Sequence, residues 1–189
     1  MPFTDKERQQ LLRLAAQAVT HGLLGHGEPL PSLVLTDYPL ALQALGASFV
    51  TLHHRQQLRG CIGSLVAVRP LAEDVVIHAY AAAFKDPRFS PLRREEWQEL
   101  AIYVSVLGVP EALSCQDEAD LLRQLRPGVD GLILSAGQQR ATFLPAVWET
   151  LPDPQAFVRQ LKQKAGLPAD YWSTELRLAR YTVEAFGQE

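Results

Sequence analysis

An α+β protein is the class this sequence predicts, and three observations predict it. A capped amphipathic segment opens the chain, two pairs of short β-type runs stand beside helical stretches, and an alternating segment lies near the end. The first helix is signalled by Thr4 and Glu7, three apart, as a capping box requires. Leu11, Leu14, Ala15, Ala18 and Val19 then recur on one helical face. From His21-Gly22 a loop is expected through Gly25, His26, Gly27, Pro29 and Pro31. Its glycines do not follow the order of a dinucleotide fingerprint.

Phe49 to Leu52 reads as a strand, His53 to Gln56 as a polar turn, and Leu58 to Val66 as the returning strand. Pro70 opens a helix to about Phe84, with Glu73 and Asp74 suited to its positive start and Asp86-Pro87 to its stop. Glu95 to Glu99 suits a helical turn, Ala101 to Leu107 a strand, and Asp117 to Leu125 a helix. Leu132 to Leu134 and Ala141 to Leu144 flank a turn at Gly137 and predict a second hairpin. Asp153 caps a helix that starts at Pro154 and presents Phe157, Leu161 and Ala165, with Gly166 just past its end. Ala179, Tyr181, Val183 and Ala185 alternate with polar residues, as in a half-buried strand.

With 189 residues, a chain buries about 70 % of its unfolded surface and needs no disulfide or metal to hold it together. The 21 acidic and 18 basic side chains give a net charge of −3, and no run of five like charges occurs. This balance argues against general nucleic-acid binding, which draws on clustered Lys and Arg. The start carries no apolar signal core, and no apolar run approaches the ~20 residues of a membrane span. A cytoplasmic location is the resulting expectation. No linker rich in Pro, Ser or Gly separates modules, so one cooperative unit is expected.

The segment Leu58-Arg59-Gly60-Cys61-Ile62-Gly63 resembles the signature of the AMME chromosomal-region family, also called AmmeMemoRadiSam system protein A. Further matches run in the same order: Phe49-Val50-Thr51-Leu52, Asp86-Pro87-Arg88-Phe89, Val104-Ser105-Val106-Leu107, Asp130-Gly131, Val147-Trp148 and Lys164-Ala165-Gly166. Ala146 stands where the family commonly resembles glutamine. The resemblance implies an α+β fold of two unequal lobes sharing a curved, antiparallel-rich sheet with flanking helices. It implies one domain over residues 1–189, or two intertwined subdomains. It implies protein partners, Memo-like and radical-SAM, but no reaction.

Cys61 is the main candidate for chemistry. Strand alternation puts Arg59 and Cys61 on one face, and a guanidinium beside a thiol favours the nucleophilic thiolate. Gly60 and Gly63 remove side chains there, so a backbone or ligand could approach. The opposing reading is that Cys61 is a small apolar filler, as buried free cysteines often are. Asp86 and Arg88 form a second candidate pair, at the edge of this face. Arg88 could fork a carboxylate or phosphate, or the two could simply pin the turn. Arg69, before a helix start, is read as solvated. The histidines form no metal set, and no nucleophile elbow, phosphate loop or other cofactor motif occurs. Three functional classes follow: an accessory subunit that docks a partner, ranked first because no base lies near Cys61 in sequence; an enzyme or ligand-binding protein using Cys61; and a nucleic-acid-linked regulator.

Overall fold

The structure, a computed structural model, describes residues 2–25 and 27–188; the expected loop position of His26 lies outside them. In chain order the elements are α1 (Asp5–Leu24), α2 (Leu40–Gln43), β1 (Leu45–His54), β2 (Gln57–Gly63), β3 (Arg69–Pro70), α3 (Leu71–Phe84), β4 (Leu100–Leu107), β5 (Glu111–Leu113), α4 (Glu118–Gln124), β6 (Gly131–Ala136), β7 (Gln139–Phe143), α5 (Pro154–Lys164), β8 (Arg177–Tyr181) and β9 (Val183–Gln188). Three 3₁₀ helices interrupt the loops. The α+β class holds, but the strands do not share one sheet. A five-stranded sheet runs β2-β1-β4-β9 with β3 on β1, and a four-stranded sheet runs β5-β8-β6-β7.

The chain divides into two compact units, residues 1–107 with 184–189, and residues 108–183. In the first, α1 and α3 cover one face of the sheet, and Val50, Leu52, Ile102 and Val104 meet Leu11, Ala15, Val75 and Ala79 in its core. The capping box at Thr4 and Glu7 forms as the sequence predicts. The helix outruns the expected stop at Gly22 because a side chain there would strike Phe84 and Tyr80 of α3. Gly22 sits where two helices approach closely, and this contact outweighs its low helix propensity. Glu184 of β9 ties the chain end to its start, accepting from the Phe3 N–H and from Arg8 Nε at 2.8 Å.

The second unit packs α4 and α5 on its sheet around Leu132, Leu134, Phe157, Leu161 and Trp148. The Trp148 and Phe157 rings stack 3.8 Å apart, and the Trp148 indole donates to the Asp130 carbonyl at 2.7 Å. Asp153 caps α5 through the Ala156 N–H, with Pro154 in its first turn and Gly166 at φ +77° after it. The expected strand over 179–185 is two strands. Thr182 breaks it, so β8 joins the four-stranded sheet and β9 the five-stranded one.

Candidate functional site

The signature hexapeptide forms β2, an edge strand of the five-stranded sheet. Cys61 pairs with Thr51 of β1, and the Thr51 hydroxyl donates to Cys61 Sγ at 3.3 Å. The Cys61 N–H points the other way, out of the edge, and donates to Asp86 Oδ2 at 2.9 Å. Arg88 Nη2 donates to the Cys61 carbonyl at 3.3 Å. Asp86 and Arg88 thus supply the acceptor and donor that a further strand would offer, which blunts an otherwise open edge. They also hold each other. Arg88 donates from Nε to Oδ1 at 3.0 Å, from Nη2 to Oδ2 at 2.7 Å and from its N–H to Oδ1 at 3.1 Å.

Asp86 is buried while Arg88 is half-exposed. The Arg88 guanidinium holds the Asp86 carboxyl well below the usual carboxylate range; burial opposes this, and the Cys61 N–H adds to it. Asp86 and Arg88 stand beside the Cys61 strand. Their side-chain hydrogen bonds go to the backbone of Cys61 and to each other.

Arg59 occupies a bulge. The register steps from Leu52↔Gly60 to His53↔Leu58, which leaves Arg59 without a cross-strand partner. Its guanidinium makes a two-point contact with Glu96, Nε to Oε1 at 2.7 Å and Nη2 to Oε2 at 3.1 Å. That contact holds the Glu96 carboxyl below its ordinary value. The Arg59 and Arg88 guanidiniums lie 5.9 and 5.4 Å from the centre of the Phe89 ring, so Phe89 joins the two ion pairs. The Arg59 charge, expected beside the thiol, instead answers the Glu96 carboxylate.

The two glycines are packing positions. A Cβ on Gly60 would lie 2.1 Å from the Ala82 carbonyl oxygen of α3, and one on Gly63 would meet the Phe49 ring at 2.3 Å. A backbone does approach at Gly60, as glycine permits, and that backbone is the chain's own. His53 and His54, expected in a turn, end β1; the turn is Arg55-Gln56, both at positive φ. His53 meets Tyr103 ring to ring at 5.2 Å.

One buried polar group escapes sequence reading. Asp74 Oδ2 accepts from the Ser48 N–H at 2.9 Å and hydroxyl at 2.7 Å, and lies 3.1 Å from His78 Nδ1. Ser48, Asp74 and His78 are all buried. In a nucleophilic triad the imidazole takes the serine proton and the carboxylate holds the other ring nitrogen. Here the serine gives its proton to the carboxylate, and one ring nitrogen faces both. The group therefore anchors the start of α3 to β1. Arg69, read as solvated, lies 3.8 Å from Asp74 Oδ1. The signal in the sequence was the i, i+4 spacing of Asp74 and His78 on a helix; Ser48 carried none. Among the described residues no three His, Cys, Asp or Glu side chains group as a metal site requires, and no helix is long and apolar enough to cross a membrane. Ala146, at the family's usual glutamine position, is exposed in a 3₁₀ turn.

The chain is thus an α+β protein whose packed glycine-cysteine edge strand is locked by an aspartate–arginine pair. The AMMECR1 family model matches residues 12–186, and the chain belongs to that family. A protein of Methanothermobacter thermautotrophicus is 36 % identical over 191 residues, covering 100 % of this chain and 97 % of its own length. A protein of Methanocaldococcus jannaschii is 35 % identical, covering 98 % and 92 %. The crystal structure of an uncharacterised protein from Pyrococcus horikoshii superposes with a TM-score of 0.83 at 33 % identity, covering 99 % of this chain and 94 % of that one.

Proposed function

We propose that this chain is a cytosolic accessory subunit that docks a protein partner, Memo-like or radical-SAM by the family analogy. The observation that carries the reading is the neutralised state of the signature region. Arg59 is paired with Glu96 and Arg88 with Asp86, and the sulfur's hydrogen-bond partner is the Thr51 hydroxyl. A cysteine nucleophile works as a thiolate sustained by a cation or base, and both nearby arginines already answer carboxylates. A chain built this way holds a rigid surface more readily than it performs a reaction. The test is co-purification of the tagged chain from its native source, beside a Cys61→Ser variant. Near-stoichiometric recovery of a Memo-like or radical-SAM protein with both is the expected result. Repeated recovery of neither would overturn the proposal. Loss of the partner from Cys61→Ser alone, with stability kept, would favour a direct role for the sulfur.

A further inference from the structure

The face of the four-stranded sheet turned away from its core carries an arrangement that the proposed function does not use. Leu132, Leu134, Ala141 and Leu178 fill the core, so alternation puts Ile133, Ser135, Arg140, Thr142, Arg177 and Ala179 on the other face. The register pairs Ser135 with Arg140 of β7 on one side and with Arg177 of β8 on the other. Directly paired residues project to the same face. Arg140, Ser135 and Arg177 therefore form one row across three adjacent strands. Neighbouring strands are about 4.8 Å apart, so the two arginine stems start about 10 Å from each other with the hydroxyl between them.

Both arginines are exposed, and neither has an ion-pair or hydrogen-bond partner among the described residues. Arg8, Arg55, Arg59, Arg88, Arg123, Arg126 and Arg180 meet carboxylates, while Arg140 and Arg177, like the exposed Arg13 and Arg159, meet none among the described residues. In a chain with more acids than bases, two uncompensated cations facing one hydroxyl repel each other and gain from an anion between them.

A cleft meets this row at two of its three residues, Ser135 and Arg177, while Arg140 stands one strand beyond its lining. This open cleft has a volume of about 840 Å³ and is lined by Ser135 and Arg177, by Ser114 and Thr174, and by Trp172. That volume is of the size small-molecule sites have. It opens where β5 stops. The three residues of β5 end their pairing at Leu113↔Leu178, so the β8 edge at Arg177 has no strand beside it. Arginine forks suit the paired oxygens of a phosphate, hydroxyls supply further donors, and an indole accepts an aromatic or apolar body.

We propose that this cleft binds a phosphate monoester of a small organic molecule, with the phosphate on Arg177 and Ser135, the Arg140 guanidinium reaching it from the next strand, and the organic portion toward Trp172. The test titrates the full chain with AMP, glucose 6-phosphate, inorganic phosphate and adenosine, followed by backbone amide NMR shifts and Trp fluorescence. Expected is saturable binding at millimolar concentration or below for at least one ester. It should be tighter than for inorganic phosphate, weaken with added salt, and shift the amides of residues 135, 140 and 177. Arg140→Ala and Arg177→Ala should each weaken it about tenfold or more, the loss of one charge-assisted fork, while substitution of the exposed Arg159 of α5, Arg159→Ala, leaves it unchanged. No saturable shift with either ester, or binding unaltered in the Arg140→Ala/Arg177→Ala double variant, would overturn the proposal. Affinity for inorganic phosphate equal to that for the tighter ester would overturn the place given to the organic portion.

Discussion

Asp86 in the first unit and Asp130 in the second are both buried, and each is clamped by an arginine within four residues. Asp130 accepts from the Arg126 N–H at 2.9 Å and from Arg126 Nη2 at 2.6 Å, and closes its own loop. Asp86 accepts from Arg88 and also from the N–H of Cys61, 25 residues away. The same side-chain pair is a local staple in one place and a tie between distant segments in the other. The units differ in the same sense. Residues 108–183 are one continuous stretch, whereas the first unit needs both ends of the chain. An ion pair's worth therefore depends on which chain segments it joins as well as on its geometry.

The largest test of this contrast is to sever the chain at Gly108. The 1–107 fragment loses β9, with Phe186 from the edge of its core and Glu184 from its tie to α1, and leaves β4 with an unpaired edge. It is expected not to fold alone, and a well-dispersed NMR spectrum from it would show that β9 is dispensable. Supplying residues 184–189 through a short linker after Leu107 should restore dispersion.

Next in size is Asp86→Ala, which removes the acceptor for two backbone N–H groups and a guanidinium. Hydrogen bonds to charged groups contribute about 1.5–3 kcal/mol each, so the expected loss is about 2–4 kcal/mol by urea denaturation. Arg88 is half-exposed and regains water, which limits the penalty. Asp130→Ala, with one local N–H involved, should cost about 1–3 kcal/mol. The variants should also differ in kind: freeing the edge at Cys61 should speed its modification by a thiol reagent, and opening the 126–130 loop should not. Equal thiol rates would collapse the distinction.

Asp86 carries a pH signature as well. Its folded pKa is depressed, so its contribution is fully present above the unfolded value of about 3.9 and is lost as pH falls through the folded one. Urea midpoints of the native chain should therefore fall below about pH 4. Asp86→Asn, which cannot titrate, should start lower and fall less steeply. Parallel curves would remove Asp86 from the account.

Much of this was legible in the sequence. The capping box at Thr4, the Pro154 helix start and both hairpins follow from local rules and appear in the structure. The alternation of 179–185 was also correct, but period alone cannot say that Thr182 divides the strand between two sheets, because sheet membership is a long-range choice. Gly22 ends a helix by propensity and continues one by packing. At the site, the chain's return was enough to place Asp86 and Arg88 near Cys61. The partner of Arg59 was not legible, since Glu96 lies 37 residues on in a turn with no distinguishing pattern. The row Arg140–Ser135–Arg177 depends on the register of three strands, which no single segment encodes.

Gly60→Ala probes the packing side of the same strand. The added methyl would meet the Ala82 carbonyl, a backbone atom that cannot rotate away. Either β2 or α3 must shift, at about 1–3 kcal/mol for an overpacked core position. A thermal midpoint equal to the native one would mean that the helix yields freely there.

The smallest effect concerns the two thiols. Burial raises the Cys115 pKa, and the Asp120 and Asp117 carboxylates push it further up; the sulfur also lies 3.6 Å from Gln124 Nε2. A raised pKa leaves less thiolate at neutral pH, and thiolate is the reacting form. Cys61 lies half-buried, and its sulfur accepts from the Thr51 hydroxyl with no carboxylate hydrogen-bonded to it among the described residues. A thiol reagent should therefore modify Cys61 faster than Cys115 in the native chain, as single-cysteine variants would report. Because the Arg59 guanidinium answers Glu96, Arg59→Ala should lower stability while changing the Cys61 rate by no more than about twofold, the size expected of a screened charge. A large fall in that rate would mean that Arg59 sustains the thiolate despite its carboxylate partner, and would move Cys61 from the frame of the fold toward its chemistry.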